Sequence, residues 1–448
     1  MERKKFDESG RAEWAQWIKN KVTSCVPTAL EDNIDKRSII SVPMRYVRTN
    51  RGEGGALVAK SRLTIAGHTD PAIGLYRTDA PTTSHLAVLL TAVIAISMDW
   101  SGYIFDVVTA FLTGESLQRE LYTRAPREGL PAVDSSPAVR PFGLLKILKG
   151  AYGLTEAPRL WYLKAKALLE NIGAQELRTA RAVFIFREKG KEGIAGLVAI
   201  LSLYVDDGLL FGDPRDPRFQ RVRKQVDSVF NIKHWKSLGP QPEKYLGMQW
   251  QTVTEGGAAS LCIHMDEYID NLSVPSGKLS GDSERPLDAE ELAQYRSLLA
   301  KARWPVNRVV PELAYGVSAL AQMNTNKVGE VTVHHATELR KLVKRLKVLK
   351  DRGRARLYVR KLDLSSLACL TYFDASFAQE EGFKSQGGMF TVLTDVSVVS
   401  QPVLGNLVEY ESSTIRRVVR STMAAESAAL SKSLDRQLYL RLMGESLT

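Results

Sequence analysis

Three aspartates stand where side chains of their kind do chemistry. In SLYVDDGLLFG, residues 202–212, Asp206 and Asp207 are adjacent inside the most apolar stretch of the chain, GIAGLVAILSLYVDDGLLFG. An ionised carboxylate in apolar surroundings costs several kcal/mol unless a cation or metal ion compensates it. A third acid, Asp106, follows a short apolar strand in SGYIFDVVTAFLTGE, and two adjacent strands could bring it beside the other two. Two or three carboxylates around divalent ions are an arrangement used for phosphoryl transfer, where one ion activates an attacking hydroxyl and another stabilises the leaving oxygen. Magnesium suits such a site as a hard cation that takes oxygen ligands and keeps contacts to substrate phosphates; manganese is the alternative ion. Phe111, shortly after Asp106, could lay its ring under a sugar and leave no room for a 2′ hydroxyl, or it could be a core side chain.

The acidic pair also has a plainer reading. Ile200–Val205 and Leu209–Phe211 read as two strands, and Asp-Gly between apolar runs signals a tight turn because glycine supplies positive φ. Two solvated turn carboxylates would need no metal. A turn on a buried sheet would equally hold a ligand at a fixed point.

The other elements surround this hairpin. GRAEWAQWIKNKV reads as an amphipathic helix with Trp14, Trp17 and Ile18 on one face, and residues 44–67 as a basic hairpin turning at Gly52–Gly55. TTSHLAVLLTAVIAISMDW is a buried helix with Thr82, Thr83 and Ser84 as candidate N-caps, and APRLWYLKAKALLENIG a second helix ended by Gly173. FQRVRKQVDSVF reads as a helix, EKYLGMQWQTV as a strand and residues 275–286 as a polar linker. In HHATELRKLVKRLKVLKDRGR, Leu339, Leu342, Val343, Leu346 and Leu349 have helical spacing, with Arg340, Lys341, Lys344, Arg345 and Lys347 around them. That basic face is either solvated or a nucleic-acid contact. From about residue 366 strands and then a helix, Ser421–Met443, suggest a separate α/β domain.

Composition sets the context. A chain of 448 residues has room for two or three domains, and 61 Lys and Arg against 50 Asp and Glu give +11, which favours a polyanionic partner. Cys25, Cys262 and Cys369 are far apart, so no disulfide framework or zinc site is suggested. No run is long and apolar enough for a membrane span and no signal-peptide core opens the chain, so an intracellular protein, cytoplasmic or nuclear, is expected with no membrane partner.

Taken together, the blocks resemble the reverse transcriptase and ribonuclease H region of a copia-type LTR retrotransposon Pol polyprotein over nearly the whole chain. YVDD resembles the family's catalytic hairpin, and FDVVTAFLTGESLQRELYTRAPREGLP its first aspartate block. LKGAYGLTEAPRLWY is similar to the nucleotide-pocket block, KYLGMQW to the primer grip, AKSRLTIAG to a fingers block, and YRSLLAKARWPVNRVVPELAYGVSALAQ to the segment downstream of the polymerase core. The resemblance implies a two-ion magnesium site at Asp106, Val107, Asp206 and Asp207, with the three aspartates catalytic. It makes Phe111 a steric gate, Arg62 a triphosphate clamp, Tyr152 and Gly153 pocket residues, and Tyr245, Leu246, Gly247 and Met248 the primer grip. TYFDASFA and VVRSTMAAESAAL resemble ribonuclease H blocks carrying Asp374 and Glu426.

Two departures qualify this. Glu156 replaces the family's usual glutamine, adding negative charge near a nucleic-acid path, and Ala424 stands where a further glutamate is usual. The chain stops at Thr448 before two later carboxylates, so ribonuclease H activity is not expected, and the missing protease, Cys/His knuckle and integrase motifs suggest a polyprotein fragment. The expected fold is α+β: an N-terminal helical segment (1–39), right-hand polymerase fingers and palm (40–274), a thumb and connection region with the basic helix (275–362), and a truncated ribonuclease H-like α/β domain (363–448). The implied activity is RNA-directed DNA polymerisation, with an RNA or DNA template, its primer, dNTPs and other polyprotein products as partners. The rival reading is a non-catalytic nucleic-acid-binding remnant or a host-adopted structural protein.

Overall fold

Trp14 and Trp17 of the amphipathic N-terminal segment are fully buried in α1 (Glu2–Lys19). They share a core with Ile40, Leu63 and Ile65, reached through β1 (Thr23–Cys25) and the basic hairpin β2 (Arg45–Asn50) and β3 (Ala59–Thr64). Ser61 of β3 is tied to α1 twice, its N–H donating to Ser9 Oγ (2.8 Å) and its hydroxyl to the Phe6 carbonyl (3.0 Å). Residues 2–39 therefore pack into the hairpin's core, and the described residues show no separate core for them. A computed structural model describes residues 2–52, 56–134, 136–255, 257–277, 279, 281–323, 329–380, 382–395 and 405–447; most of the Gly52–Gly55 turn, Lys278 and Ser280 of the predicted linker, and Thr448 lie outside them.

α2 (His85–Ser97) begins at Ser84, whose hydroxyl oxygen accepts from the Ala87 N–H at 3.1 Å, and every residue from Leu86 to Ile96 is buried. A helix apolar all round has to lie inside. It leads into β4 (Ser101–Val107). β5 (Tyr122–Arg124) and β6 (Leu144–Ile147) join β1 in a small sheet ordered β1-β6-β5. α3 (Ala157–Asn171), β7 (Ala174–Glu176), β8 (Val183–Arg187), β9 (Leu197–Tyr204), β10 (Asp207–Gly212), α4 (Pro217–Val229) and β11 (Ile232–Ser237) follow. The resulting six-stranded antiparallel sheet runs β11-β4-β10-β9-β8-β7, with β4 inserted beside β10 from far upstream. β9 is buried everywhere except Tyr204 because α2 covers one face of the sheet and α3 and α4 the other.

β12 (Glu243–Tyr245), β13 (Met248–Glu255) and β14 (Ala258–His264) precede α5 (Asp266–Asp270), α6 (Ala289–Val309), α7 (Ala314–Ala321) and α8 (Val333–Asp351). The chain then returns as β15 (Arg356–Val359), which pairs with β14 and completes the sheet β12-β13-β14-β15. α6 and α8 share a core with α2, so a divide at 274–275 runs through one core. The residues just after the predicted linker are ordered by packing and caps: Leu287 N–H donates to the Val331 carbonyl (2.9 Å), and Asp288 with Glu291 forms a capping box for α6.

The remainder is an antiparallel meander, β16 (Ala368–Glu380), β17 (Lys384–Thr394) and β18 (Asn406–Thr414), crossed on one face by α9 (Thr422–Leu447). No helix among the described residues is long and apolar enough to cross a membrane.

Candidate active site

Tyr204 pairs with Asp207 across the β9–β10 hairpin, so the turn is Val205–Asp206 and not the Asp-Gly step that the sequence suggested. Val205 takes φ +57°, a conformation a β-branched residue adopts only when held there. Trp161 Nε1 of α3 donates to its carbonyl at 2.6 Å, and Val107 N–H of β4 donates to the Asp206 carbonyl at 2.9 Å. Gly208 lies within β10, where an added Cβ would fall 2.2 Å from the Phe105 ring. Its smallness serves packing against that ring.

Asp106 and Asp207 face each other directly in the β4–β10 register, and cross-strand partners project from the same face. Asp206 joins them from the turn, and one carboxylate oxygen from each lies within 4.8 Å of the others. Among the described residues no other group of three or more His, Cys, Asp or Glu gathers this way, and no cation pairs with any of these three. Burial and the Asp206 charge push the Asp106 carboxyl up, against the fields of Arg51, Arg62 and Lys233. Burial, then Asp206 and Asp106, push Asp207 up to about 6. Three mutually repelling carboxylates with no cation paired to them suit a hard divalent cation. Val107 buries its side chain and offers an ion only its main-chain carbonyl.

A second group stands nearby. The Arg62 guanidinium lies over the Tyr152 ring, 5.4 Å from its centroid, and Phe111 meets the same ring edge-on at 5.7 Å. Two glycines bring these residues together. A Cβ on Gly153 (φ +91°) would sit 2.0 Å from the Ile65 carbonyl oxygen, and one on Gly67 2.2 Å from that of Gly153. The backbones on either side touch, with Ile65 N–H donating to the Tyr152 carbonyl at 2.8 Å.

Glu156, expected as an added negative charge near a nucleic-acid path, is engaged inside the protein. It is buried, and Arg119 Nη2 bridges it (2.7 Å) to the fully buried Asp70 carboxylate (2.5 Å), which also accepts from the Tyr76 hydroxyl at 2.7 Å. Burial pushes Asp70 up, but the bonds from Arg119 and Tyr76 outweigh it and hold its carboxyl below the usual range.

EKYLGMQWQTV is a hairpin where one strand was expected. Leu246 (φ +53°) and Gly247 (φ +72°) turn between β12 and β13, while Tyr245 and Met248 are core residues, Tyr245 donating its hydroxyl to the Ser202 carbonyl at 3.0 Å. Only the turn itself is available to a ligand.

The basic face of α8 is partly spent. Arg340 donates to the Gly277 carbonyl (2.7 Å), Lys347 approaches the Asp270 carbonyl (3.4 Å) and Lys341 pairs with Glu338 (2.8 Å). α6 carries the cations that sequence reasoning missed. Arg296, Arg303 and Arg308 line a hollow of about 620 Å³ with Trp304 and Asn307, and none of the three pairs with an acid among the described residues. Trp304 also lies beside Gly247, 3.4 Å from where its Cβ would be. The signal was present as arginines opposite Leu292, Tyr295, Leu298 and Val306 at helical spacing, on a helix that runs through Pro305, a residue that ordinarily interrupts one.

Asp374 and Glu426 are not brought together. Asp374 pairs with Gly388 and Gly388 with Ser412, on the sheet face where Gln386 bonds Ser318 of α7. Glu426 belongs to α9, which packs on the opposite face through Met389 and Glu411.

A family model described as reverse transcriptase (RNA-dependent DNA polymerase) matches residues 32–275, more than half of the chain. The chain is 23% identical over 421 residues to the retrovirus-related Pol polyprotein from transposon RE1 of Arabidopsis thaliana, covering 90% of this chain and 26% of that protein. It is 28% identical over 214 residues to the corresponding polyprotein from transposon TNT 1-94 of Nicotiana tabacum, covering 48% of this chain and 15% of that one. A putative transposon Ty5-1 protein of Saccharomyces cerevisiae is 24% identical over 307 residues, 65% of this chain and 90% of that protein. The chain thus spans about a quarter of the length of the Arabidopsis polyproteins it matches.

Proposed function

The chain belongs to the reverse transcriptase family and corresponds to a Pol region of the copia-type retrotransposon kind, and on that premise we propose that it copies a nucleic-acid template into DNA. The convergence of Asp106, Asp206 and Asp207 carries this reading. In it the six-stranded sheet is the palm, β2–β3 with part of 125–160 the fingers, α6–α8 with β15 the thumb and connection, and the C-terminal meander with α9 a ribonuclease H-like cap.

Asp106 and Asp206, with the Val107 carbonyl, would hold two magnesium ions, with Asp207 beside them. Divalent ions there would favour ionisation of the primer 3′ hydroxyl and neutralise charge on the departing pyrophosphate. Arg62, set over Tyr152, offers its guanidinium to the triphosphate. The edge-to-face pair of Phe111 and Tyr152 forms a wall for the sugar. The Leu246–Gly247 turn and the unpaired arginines of α6 hold the primer strand. No ribonuclease H activity is assigned, because Asp374 and Glu426 lie on opposite faces of their sheet. The remnant reading loses one of its supports, since Glu156 is engaged by Arg119 inside the protein.

The test is extension of a DNA primer on a homopolymer RNA template, with magnesium and then manganese. Extension that EDTA and Asp206→Asn both abolish is expected. Binding of the primer–template without extension in either metal would leave the nucleic-acid-binding remnant.

A further inference from the structure

A cavity of about 480 Å³ opens where α6 and α7 face the end of β18. Arg303 lines it from α6, Ser318 from α7, Gln322 from just after α7, and Ser412 and Arg416 from β18 and the residues just beyond it. Gln386 of β17, itself buried, organises one wall. Its amide nitrogen donates to Ser318 Oγ (2.9 Å) and Ser412 Oγ (2.8 Å), and its oxygen accepts from Gln322 Nε2 (3.0 Å). Each serine oxygen is thereby engaged as an acceptor, which keeps its own O–H as a donor on the cavity lining.

The charges agree with that polarity. Neither Arg303 nor Arg416 pairs with an acid among the described residues, and Glu411, an acid on the lining, is held by Lys432 Nζ at 2.6 Å. Arg303 also lines the hollow on α6, so the cavity continues the surface that begins beside Gly247. Guanidiniums and hydroxyl donors converging from separate elements match a phosphate oxyanion, a group that proteins contact to fix nucleic-acid register.

We propose that this cavity binds a phosphodiester of the duplex whose primer end lies at Asp106, Asp206 and Asp207, so that the C-terminal meander takes part in holding the product. The inference rests on the polymerase reading. It assigns Arg416, Ser318 and Ser412 to a nucleic-acid contact and Gln386 to positioning the two hydroxyls.

The test is equilibrium binding of the full chain to primer–templates of increasing duplex length, at several salt concentrations, for the wild type and for Arg416→Gln. On long duplexes Arg416→Gln should weaken binding about tenfold, the effect of one charge-assisted contact. The log–log salt slope should fall by about 0.9. On duplexes too short to reach the cavity the two proteins should bind alike, a length threshold that a merely structural defect would not create. Ser412→Ala, a milder change, should show the same threshold with a smaller loss. Equal loss at every length, or none at any, overturns the proposal. So does stabilisation of the wild type by inorganic phosphate without length-dependent loss, which would make the cavity a small-anion site. Primer extension run in parallel separates the two readings: no extension with a length-dependent loss removes the polymerase and keeps the contact, and extension without such a loss does the reverse.

Discussion

Asp106 on β4 faces Asp207 across the central sheet, whereas Asp374 on β16 faces Gly388 across the C-terminal meander. In the first sheet the cross-strand partner supplies a second carboxylate and the adjoining turn a third. In the second the partner has no side chain, and Glu426 arrives from a helix on the other face. A strand aspartate is therefore half of a metal site at most. Strand register decides whether the other half comes to the same face.

The largest effect should separate the two aspartates. Asp206→Asn should lower the single-turnover rate of primer extension at least about 10³-fold, because several kcal/mol of transition-state stabilisation pass through that carboxylate. Asp374→Asn should leave the rate within about twofold. A large loss in the second variant would break the comparison.

Stability should separate the glycines beside them. A methyl group on Gly208 collides with the Phe105 ring, and one on Gly388 meets nothing within 4 Å. Urea unfolding should show Gly208→Ala destabilised by about 1–3 kcal/mol and Gly388→Ala changed by no more than about 0.5 kcal/mol.

Phe111→Ala sharpens the central site further. It should reduce discrimination against ribonucleotides by about tenfold in steady-state incorporation while dNTP use persists. Loss of stability by about 3–5 kcal/mol with unchanged sugar preference would return Phe111 to the core.

The smallest effect is on pH. Asp207 keeps its proton up to about 6 in the fold and releases it near 3.8 when unfolded, so the folded state binds more protons between those values. Metal-free protein should lose stability as pH rises through that window, and Asp207→Asn should flatten the slope in a thermal-shift series. In the meander, burial pushes Glu411 up but Lys432 outweighs it and holds it low, so that contribution is lost as pH falls.

Much of the central site was legible because its residues announce themselves locally. Two adjacent acids in an apolar run and a third after a strand needed only one pairing to meet. What the sequence hid lay in contacts between distant positions. Gly208 signalled a turn because glycine does so by default, and only Phe105 across the sheet explains it. Glu156 looked like a stray charge because its partner, Arg119, is 37 residues away. The basic face of α8 stayed open between solvent and nucleic acid because charge can be counted along a helix, while the carbonyls of Asp270 and Gly277 that engage Lys347 and Arg340 cannot. The helices α1, α2 and α3 were legible from periodicity and caps, whereas the Leu246–Gly247 turn was lost inside a run that reads as one strand.

β15 has a consequence for how the chain is made. β14 gains its second neighbour only when residues 356–359 return to it, some ninety residues after β14 itself has emerged. Until then it presents a row of unpaired amides and carbonyls, and such an edge recruits strands from other molecules. A chain cut after residue 275 would contain the whole family match and still keep that edge open. Long-range closure of this kind folds slowly, and the helices α6–α8 are the stretch of chain that must be made before the protecting strand can return.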